Sequence, residues 1–533
     1  DGVAAGVGHT HQPGGAIDRA TEIIGRWPDV AYCEATQTAK RLLWGGRSVA
    51  AMKAKRLTRN LVCVLAGGAL LVACGQSDNL GSESDEVEAT ATPTEDVPDA
   101  PDPTPTDEGD GTPDGLCDPY AEYAGNDGTV VTIVGSIAPV EQQLFEDSWA
   151  EFEECTGIDI AYEGGDQRAV ELEAEIQSGG APDIAWLSRP AALAKLVASG
   201  EPIPAPAATE TLVAQFWNPV WKSYGTVDDT FYAAPVGSTM KSIVWYSPRV
   251  FVEKGYSIPT TWNEMWALSD QMVADGVTPW CGGLESGSDT GGPASDWLAQ
   301  VMLRLFGSDV YDQWVGGDLP FSSPEVGAAM DIVAGWMKNP RYVNGGHGDV
   351  GTIPVTPVGE AGVGIPSGEC GMLQQGPSAE DLWGTVGEGV DGDTEVGPTG
   401  DVYAFYLPEV TPDFPQPVVS DGLFAVAFAD RPEVQAVQTY LASPEFHTSR
   451  VARGGWVSAN TGVPLDTYPV DSIEQMTAGY LTDPKSTVRL DASDLMPAVV
   501  GEGALPEQMT AWFADQKSTA DSLAAIDAAW PPQ

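Results

Sequence analysis

The sequence Val130-Val131-Thr132-Ile133-Val134 begins the pattern that decides the fold of this chain. Its β-branched residues predict a buried strand. The apolar residues that follow recur at helical spacing: Leu144, Phe145, Trp149 and Phe152. Two more strands are predicted, at Ile158 to Tyr162 and at Ile184 to Leu187, with one helix between them and another after Pro190. This alternation predicts an α/β fold that starts with a right-handed parallel unit.

The loops after these strands are the first candidates for a binding site. In a parallel sheet, ligands bind beyond the carboxyl ends of the strands. Three loops occupy such positions: Gly135-Ser136, Gly164 to Asp166, and Trp186 to Arg189. We therefore expect these loops to border a ligand.

An export signal precedes the folded part. Basic residues from Lys53 to Arg59 are followed by an apolar stretch from Leu61 to Val72 and by small Ala73 before Cys74. This order predicts a lipoprotein signal peptide at residues 52–73, with a lipid on the thiol of Cys74. A retained transmembrane helix is the alternative, but it needs about 20 apolar residues. Residues 1–51 contain no methionine, and we interpret them as non-native upstream translation.

The segment after Cys74 is too acidic to fold. From Asp78 to Asp114 there are 13 Asp or Glu residues and six prolines, but no Lys or Arg. Such a composition cannot bury a core, and its charges repel one another. We predict a disordered linker over residues 74–119 that holds the folded body away from the membrane.

The acidity extends into the folded body. The chain has 77 acidic and 25 basic residues, which gives a formal net charge of −52. Nucleic acid and anionic membrane surfaces are therefore excluded as partners. Contact with the membrane is expected through the lipid alone.

Four cysteines remain once the signal region is removed: Cys117, Cys155, Cys281 and Cys370. An even number of cysteines in an exported chain predicts two disulfides. Three pairings are possible, and we favour Cys117 with Cys155 and Cys281 with Cys370. The remaining chain is long enough for two lobes, and each of these pairs then lies within one lobe. Zinc is the alternative, but no C-x-x-C motif or histidine pair accompanies these cysteines.

The sequence contains no recognisable catalytic or cofactor motif. After Cys74 the only histidines are His347 and His447, and neither has a partner at metal-ligand spacing. A Gly-x-Ser-x-Gly motif is absent, and no characteristic spacing of acidic residues identifies a pair of glycosidase carboxylates. We therefore predict neither catalysis nor a cofactor nor a metal site.

A series of short motifs resembles a known family. They are Phe152 to Ile158, Lys241 to Tyr246, Thr278 to Cys281, Glu285 to Gly287, Ser295 to Trp297, Gly454 to Trp456, and Ser493 to Pro497. In this order, after a lipoprotein signal, they resemble the maltose-binding-like sugar-binding lipoproteins of ABC importers, the family 1 solute-binding proteins. The α-glucoside-binding branch is the most similar.

The resemblance implies two α/β lobes of the class II periplasmic-binding-protein fold, joined by crossing strands around a cleft. The expected lobe I is 120–236 with 423–453, and lobe II is 237–422 with 454–533. The crossings are expected near Pro235 to Met240, Val419 to Leu423, and Gly454 to Ser458. A monomer is expected, working with the transmembrane subunits of a permease and a separate ATPase.

The sugar site needs aromatic platforms and polar side chains that fix hydroxyl groups. The candidate platforms are Trp186, Trp297 and Trp456, with Gly455 beside the last. The alternative for each is a core tryptophan, and the Asp296-Trp297 pair could instead open a helix. The polar candidates are Asp166, Arg189, Glu285 and Ser286. Lys241 is set aside, because it could pair with a surface acid.

The predicted function is capture of a carbohydrate, an oligosaccharide or α-glucoside, by closure of the lobes, at the cell surface. Two departures from the family pattern make the α-glucoside uncertain. Gly291-Gly292-Pro293 and Leu505-Pro506 stand where relatives commonly carry tryptophan. The alternatives are a binding protein for a peptide or metal chelate, and a secreted carbohydrate-active enzyme.

Overall fold

A computed structural model describes residues 115–532 except 138, 166–170, 173, 177, 344–347 and 385–393. The signal segment, Cys74 and most of the predicted linker lie outside the described residues, as do Asp166 and His347. The described body begins before residue 120, because Asp118–Tyr123 form a short 3₁₀-helix. The linker was therefore predicted to extend slightly too far.

Twelve strands are found among the described residues. They are β1 (Thr129–Gly135), β2 (Ile158–Gly164), β3 (Ile184–Leu187), β4 (Thr226–Val227), β5 (Thr230–Phe231), β6 (Ala233–Met240), β7 (Ile243–Tyr246), β8 (Thr278–Trp280), β9 (Cys370–Gln374), β10 (Tyr403–Tyr406), β11 (Pro417–Ala427) and β12 (Thr487–Leu490). The short pair β4 and β5 forms a separate hairpin.

The α-helices are α1 (Pro139–Thr156), α2 (Ala191–Ser199), α3 (Ala207–Phe216), α4 (Pro219–Tyr224), α5 (Pro248–Lys254), α6 (Trp262–Ala274), α7 (Gly292–Val315), α8 (Pro324–Met337), α9 (Asp381–Gly384), α10 (Pro432–Leu441), α11 (Pro444–Val451), α12 (Ile473–Thr482), α13 (Ala492–Leu495), α14 (Leu505–Phe513) and α15 (Thr519–Asp527). A π-helix covers Val499–Ala504. Within the described part of the chain, no helix combines the length and the apolarity that crossing a bilayer requires.

The first sheet contains the predicted parallel unit. β1 pairs in parallel with β2 along its whole length and with β3 on its other edge. The sheet continues through β11 to β12, in the order β2-β1-β3-β11-β12. The predicted strands β1, β2 and β3 and the helices α1 and α2 are confirmed, whereas the helix predicted between β2 and β3 lies partly outside the described residues.

Strand β11 changes its partner halfway along its length. On one edge, Pro417–Ser420 pair in parallel with β12, whereas Phe424–Ala427 pair antiparallel with β3. The other edge pairs with β6, and the register shifts between Leu423 and Phe424. Two of the expected crossings, 235–240 and 419–423, lie within β6 and β11.

The third expected crossing, Gly454 to Ser458, contains no strand. The chain after it stays beside the helices of the first sheet. The Asn460 side chain donates to the Ala442 carbonyl at 3.2 Å, and the Thr461 amide donates to the Phe216 carbonyl at 2.7 Å. The third strand that reaches β11 is instead β12, so the expected crossing lies too early in the sequence.

The second sheet has the order β10-β7-β9-β8, with only β8 and β9 parallel. Its core contains the rings of Trp280, Trp297 and Trp336, which lie 5.3 to 6.3 Å apart between centroids. A separate core under the first sheet includes Phe145, Trp186 and other aromatic residues. These aromatic residues therefore lie in two separate cores, one beside each sheet.

Both predicted disulfides are confirmed. Cys117 is bonded to Cys155, and Cys281 is bonded to Cys370. The first pair fixes the 3₁₀-helix at the start of the body to the end of α1. The second pair joins the chain after β8 to the start of β9.

Replacing Cys281 and Cys370 together with serine should lower the free energy of unfolding by about 2 to 4 kcal/mol. The bond closes a loop with a sequence separation of 89, and the reduced unfolded chain would regain the freedom of that loop. Denaturant titration of the double variant beside the wild type measures the loss. An unchanged midpoint, or free thiols at both positions in the unreduced wild type, would contradict the prediction.

Candidate functional site

The crossing strands bring one lysine into a group of carboxylates, which we call the Lys241 cluster. Lys241 directly follows β6, and its Nζ lies 3.1 Å from Asp296 Oδ1, 3.0 Å from Asp421 Oδ1 and 3.6 Å from Asp491 Oδ2. Asp421 lies in the middle of β11, and Asp491 directly follows β12. The cluster therefore forms where all three strands meet, with Asp296 added from the first turns of α7.

The Lys241 cluster is largely buried. The Lys241 side chain is 19% exposed and that of Asp491 is fully buried. Burial alone would lower the pKa of Lys241, but the surrounding carboxylates raise it well above its ordinary value. Burial raises the pKa of Asp296, whereas at Asp491 the pull of Lys241 and Ser493 outweighs burial and lowers the pKa. Lys241 is thus a charged buried residue, and the expectation of an ordinary surface pair is wrong.

Arg189 lies beyond the carboxyl end of β3, as the sequence predicts. Its Nη1 is 2.9 Å from Glu502 Oε1, and its Nε is 3.8 Å from Asp494 Oδ1. The pKa of Asp494 is raised well above its ordinary value by burial and by the nearby charge of Asp421, despite the attraction of Lys241. The guanidinium of Arg189 therefore adds a second cation to the same group of acids.

The loop that carries Glu285 and Ser286 is exposed. Glu285 Oε1 accepts from the Gly287 amide at 3.2 Å, which tightens the turn. Farther along this loop, burial raises the pKa of Asp289, against the opposing charges of Lys241 and Arg189. Glu285 and Ser286 thus lie on an exposed loop shortly before Asp289.

Trp456 is partly buried, and the Cζ2 edge of its ring approaches the crossing strand β6. A Cβ atom on Gly237 would stand 2.1 Å from the Cζ2 atom of this ring, so only glycine allows the approach. Gly455, which precedes the ring, has a φ of 64° and turns the chain toward it. Behind the ring, the Arg450 guanidinium lies 5.2 Å from Trp456 and 4.5 Å from Phe145. The Trp456 ring is therefore held in a fixed position.

The Trp456 ring and the Asp421 carboxylate lie on the same face of the crossing strands. Thr239 is paired with Asp421 across β6 and β11, and its hydroxyl donates to Asp421 Oδ2 at 3.2 Å. Side chains alternate along a strand, so Gly237 and Thr239 share a face, about 7 Å apart. Asp421 has a side-chain exposure of 39% and is the most accessible carboxylate beside Lys241. A partly exposed aromatic ring and an accessible carboxylate thus lie on the same side of the crossing strands.

The other two candidate platforms are buried. Trp186 is 3% exposed, and its ring lies 5.1 Å from Phe145 and 5.0 Å from Tyr162. Trp297 is 4% exposed and packs against Trp280 in the other core. Asp296 and Trp297 are consecutive on α7 and point in different directions, so that Asp296 reaches Lys241 while Trp297 enters the core. Neither ring offers a free face in this structure, which corrects the expectation of a stacking role there.

None of the four residues of the Lys241 cluster was predicted as a site residue: Lys241, Asp296, Asp421 and Asp491. Asp296 and Asp494 stood inside motifs that were read only as signs of a family. One signal could have found the cluster, because a lysine directly after a crossing strand is unusual in so acidic a chain.

His447 carries no sign of catalysis. It is fully buried, and its Nδ1 lies 2.9 Å from the Ser458 hydroxyl. Burial lowers its pKa to about 3, so the imidazole is neutral at physiological pH. His447 is therefore a core residue.

The two sheets, the strands that cross between them and the polar group at the crossing define a two-lobed binding protein. Residues 137–447 match the model of the bacterial extracellular solute-binding protein family. The chain belongs to this family. It is an extracytoplasmic binding protein and not an enzyme.

Two characterised relatives align over most of the chain. The osmoprotective compounds-binding protein GgtB of Synechocystis sp. is 33% identical over 75% of this chain and 92% of its own. The alpha-glucosides-binding periplasmic protein AglE of Rhizobium meliloti is 31% identical over 76% of this chain and 87% of its own.

Solved structures share the fold at low sequence identity. The bacterial solute receptor AcbH, which has an exclusive preference for β-D-galactopyranose, superimposes with a TM-score of 0.61 at 16% identity, over 76% of this chain and 97% of its own. RafE from Streptococcus pneumoniae gives 0.59 at 15% identity, over 76% and 98%. The predicted two-lobed solute-binding fold is confirmed.

Proposed function

We propose that this protein captures a carbohydrate, an α-glucoside or a small oligosaccharide, by closing its two lobes and delivers it to the permease of an ABC importer. The solute bridges the lobes and shifts the equilibrium toward the closed form. ATP hydrolysis belongs to a separate subunit. GgtB and AglE, named for osmoprotective compounds and α-glucosides, support a small polyhydroxylated solute.

The observation that supports the proposal most is that Trp456 and Asp421 lie on the same side of the crossing strands. A sugar ring has apolar C–H faces and a rim of hydroxyl groups, so it needs an aromatic ring and a carboxylate side by side. Lys241 and Thr239 fix the direction of the Asp421 carboxylate. The cleft carboxylate is thus oriented before the sugar arrives, which reduces the entropy cost of binding.

Binding of a sugar is tested by thermal shift with the purified protein. A panel of α- and β-linked disaccharides and trisaccharides is compared with peptides and metal chelates. A ligand at 100 times its dissociation constant adds about 2.7 kcal/mol of stability, which is readily detected. Stabilisation by peptides or chelates, with none by any sugar, would refute the carbohydrate assignment.

Trp456→Ala should weaken binding of the sugar found in that screen by about thirtyfold, because truncation removes a platform worth about 2 kcal/mol. Calorimetry measures the affinity, and thermal melts without ligand measure the folding. Gly237→Ala is a second variant that leaves the tryptophan in place but displaces its ring, since the new Cβ would overlap it. Gly237→Ala should also lower the affinity.

Trp512→Ala is a matched control, because this ring is buried in the second core and packs against Phe513. Its loss should lower stability and leave the affinity of the folded fraction unchanged. Unchanged affinity in both the Trp456 and the Gly237 variants would refute this placement of the sugar.

We also propose that a lipid on Cys74 tethers the protein to the membrane, with the acidic linker as a spacer. The basic and apolar residues before Cys74 support this anchor. Cys74→Ala should release the protein from the membrane, because one thiol carries the whole attachment. Cell fractionation measures the release, with Cys63→Ala as the matched control. A Cys74 variant that still pellets uncleaved with membranes would show that the segment spans the bilayer.

A further inference from the structure

Arg189 connects parts of the molecule that belong to different cores. It follows β3, whose Trp186 lies in the core of the first sheet. Its partner Glu502 lies in the π-helix, where Val500 belongs to the core of the second sheet. The ion pair between Arg189 Nη1 and Glu502 Oε1, at 2.9 Å, therefore reaches from one lobe to the other.

The π-helix presents Glu502 beside a second acid. Gly501 packs so closely on the preceding helix α13 that a Cβ would lie 2.0 Å from the Ser493 carbonyl oxygen. This contact places Glu502 beside Asp494, which lies on α13 and is 13% exposed. The Asp494 carboxylate lies 3.8 Å from Arg189 Nε. Short π-helices are rare and are often found at functional sites.

We propose that Arg189 is a closure residue, which binds the acids of the opposite lobe rather than the sugar. The proposal rests on the proposed function, because closure is what retains the solute. In this proposal, opening of the lobes separates Arg189 from Glu502 and Asp494. Their attraction therefore stabilises the closed form selectively, whether or not a sugar is bound.

The expected strength of this attraction is modest. The Arg189 and Glu502 side chains are 34% and 49% exposed, so water and salt screen their charges. We expect the pair to change the ratio of closed to open molecules by about two- to fivefold. A weak closure pair lets the lobes reopen for release of the solute.

The test measures closure without any sugar. Single-molecule energy transfer is recorded between dyes on azidophenylalanine at Ala194 of α2 and Val252 of α5, both exposed. Glu502→Gln should lower the ratio of closed to open molecules by about two- to fivefold at low salt, and 1 M NaCl should remove most of the difference. Arg189→Gln should lower the ratio at least as much.

The double variant Arg189→Gln with Glu502→Gln tests whether Arg189 acts in closure through Glu502 or acts as a sugar contact. If Glu502 acts through Arg189, then Glu502→Gln should change nothing further in the Arg189→Gln background. The control is Glu210→Gln, which breaks the ion pair of Glu210 with Lys222 on neighbouring helices of one lobe and should leave closure unchanged.

Additive losses in the double variant, or an unchanged closed fraction in Glu502→Gln, would overturn the proposal. A fall in sugar affinity for Arg189→Gln with normal closure would make Arg189 a sugar contact and overturn it too. Failure of every sugar to bind would refute the proposed function, while the sugar-free measurement would still decide the closure role.

Discussion

Lys241→Met should lower the free energy of unfolding by about 3 to 5 kcal/mol, although methionine keeps most of the length of the side chain. The variant leaves the buried Asp491 carboxylate without its cation, and Asp296 loses the same partner. Taking one member from a buried ion pair is costly, because the remaining charge can neither reach water nor pair. Urea titration at neutral pH measures the loss.

The loss in the Lys241 variant should shrink as the pH falls. Without the lysine, burial raises the pKa values of the remaining carboxylates, as it already does for Asp296 and Asp494 in the wild type. A raised pKa means that the folded chain binds protons more readily than the unfolded chain, so acid stabilises the variant relative to neutral pH.

Lys222→Met is the matched control for Lys241. Lys222 pairs with Glu210 at 2.7 Å, but both side chains are more than one third exposed. Such a pair contributes about 1 kcal/mol or less. A loss of under 1 kcal/mol in the Lys241 variant as well, or a loss that does not depend on pH, would contradict the buried-charge interpretation.

Trp186→Ala should also cost about 3 to 5 kcal/mol of stability, which is the usual range for a large aromatic core residue. The ring fills the space between Phe145 and Tyr162 and is 3% exposed. Truncation would leave a cavity, because β3 and α1 are held by other contacts and cannot collapse fully. Chemical denaturation without sugar measures the loss.

Trp186→Phe separates burial from sugar stacking. Phenylalanine refills part of the cavity and should recover part of the stability. If Trp186 were instead a cleft platform, Trp186→Ala would cost under about 1 kcal/mol of stability and would reduce sugar affinity by about thirtyfold. Trp186→Ala and Trp456→Ala should therefore differ, the first mainly in folding and the second mainly in binding.

The local pattern of the sequence was sufficient to predict the first strands of the first sheet and the pairing of the cysteines. The β-branched run at 130–134 and the alternation at 158–162 predict strands because each buries one or both faces. Cysteine pairing followed from the division of the chain into lobes, since a bond within one lobe needs no long-range geometry. These features depend on neighbours in sequence.

The site depends on neighbours in space, and the sequence was a poorer guide there. The Lys241 cluster joins residues from α7 and three distant strands, so no spacing reveals it. The third crossing was placed near Gly454 on the resemblance to a family, and no local pattern of residues shows which strand the chain joins next. Trp186 and Trp297 were chosen for their residue type, whereas burial in a core depends on packing against residues remote in the chain.

The late position of β11 in the chain has a consequence for biosynthesis. β3 is exported early, but its edge partner, Phe424 to Ala427, follows only after the entire second sheet. Until then, β3 presents an unpaired edge that invites aggregation. Pairing of such distant segments also makes folding slow. We expect a nascent chain that ends before β11 to depend on chaperones, and the delay to keep the polypeptide unfolded long enough to be threaded through a secretion channel.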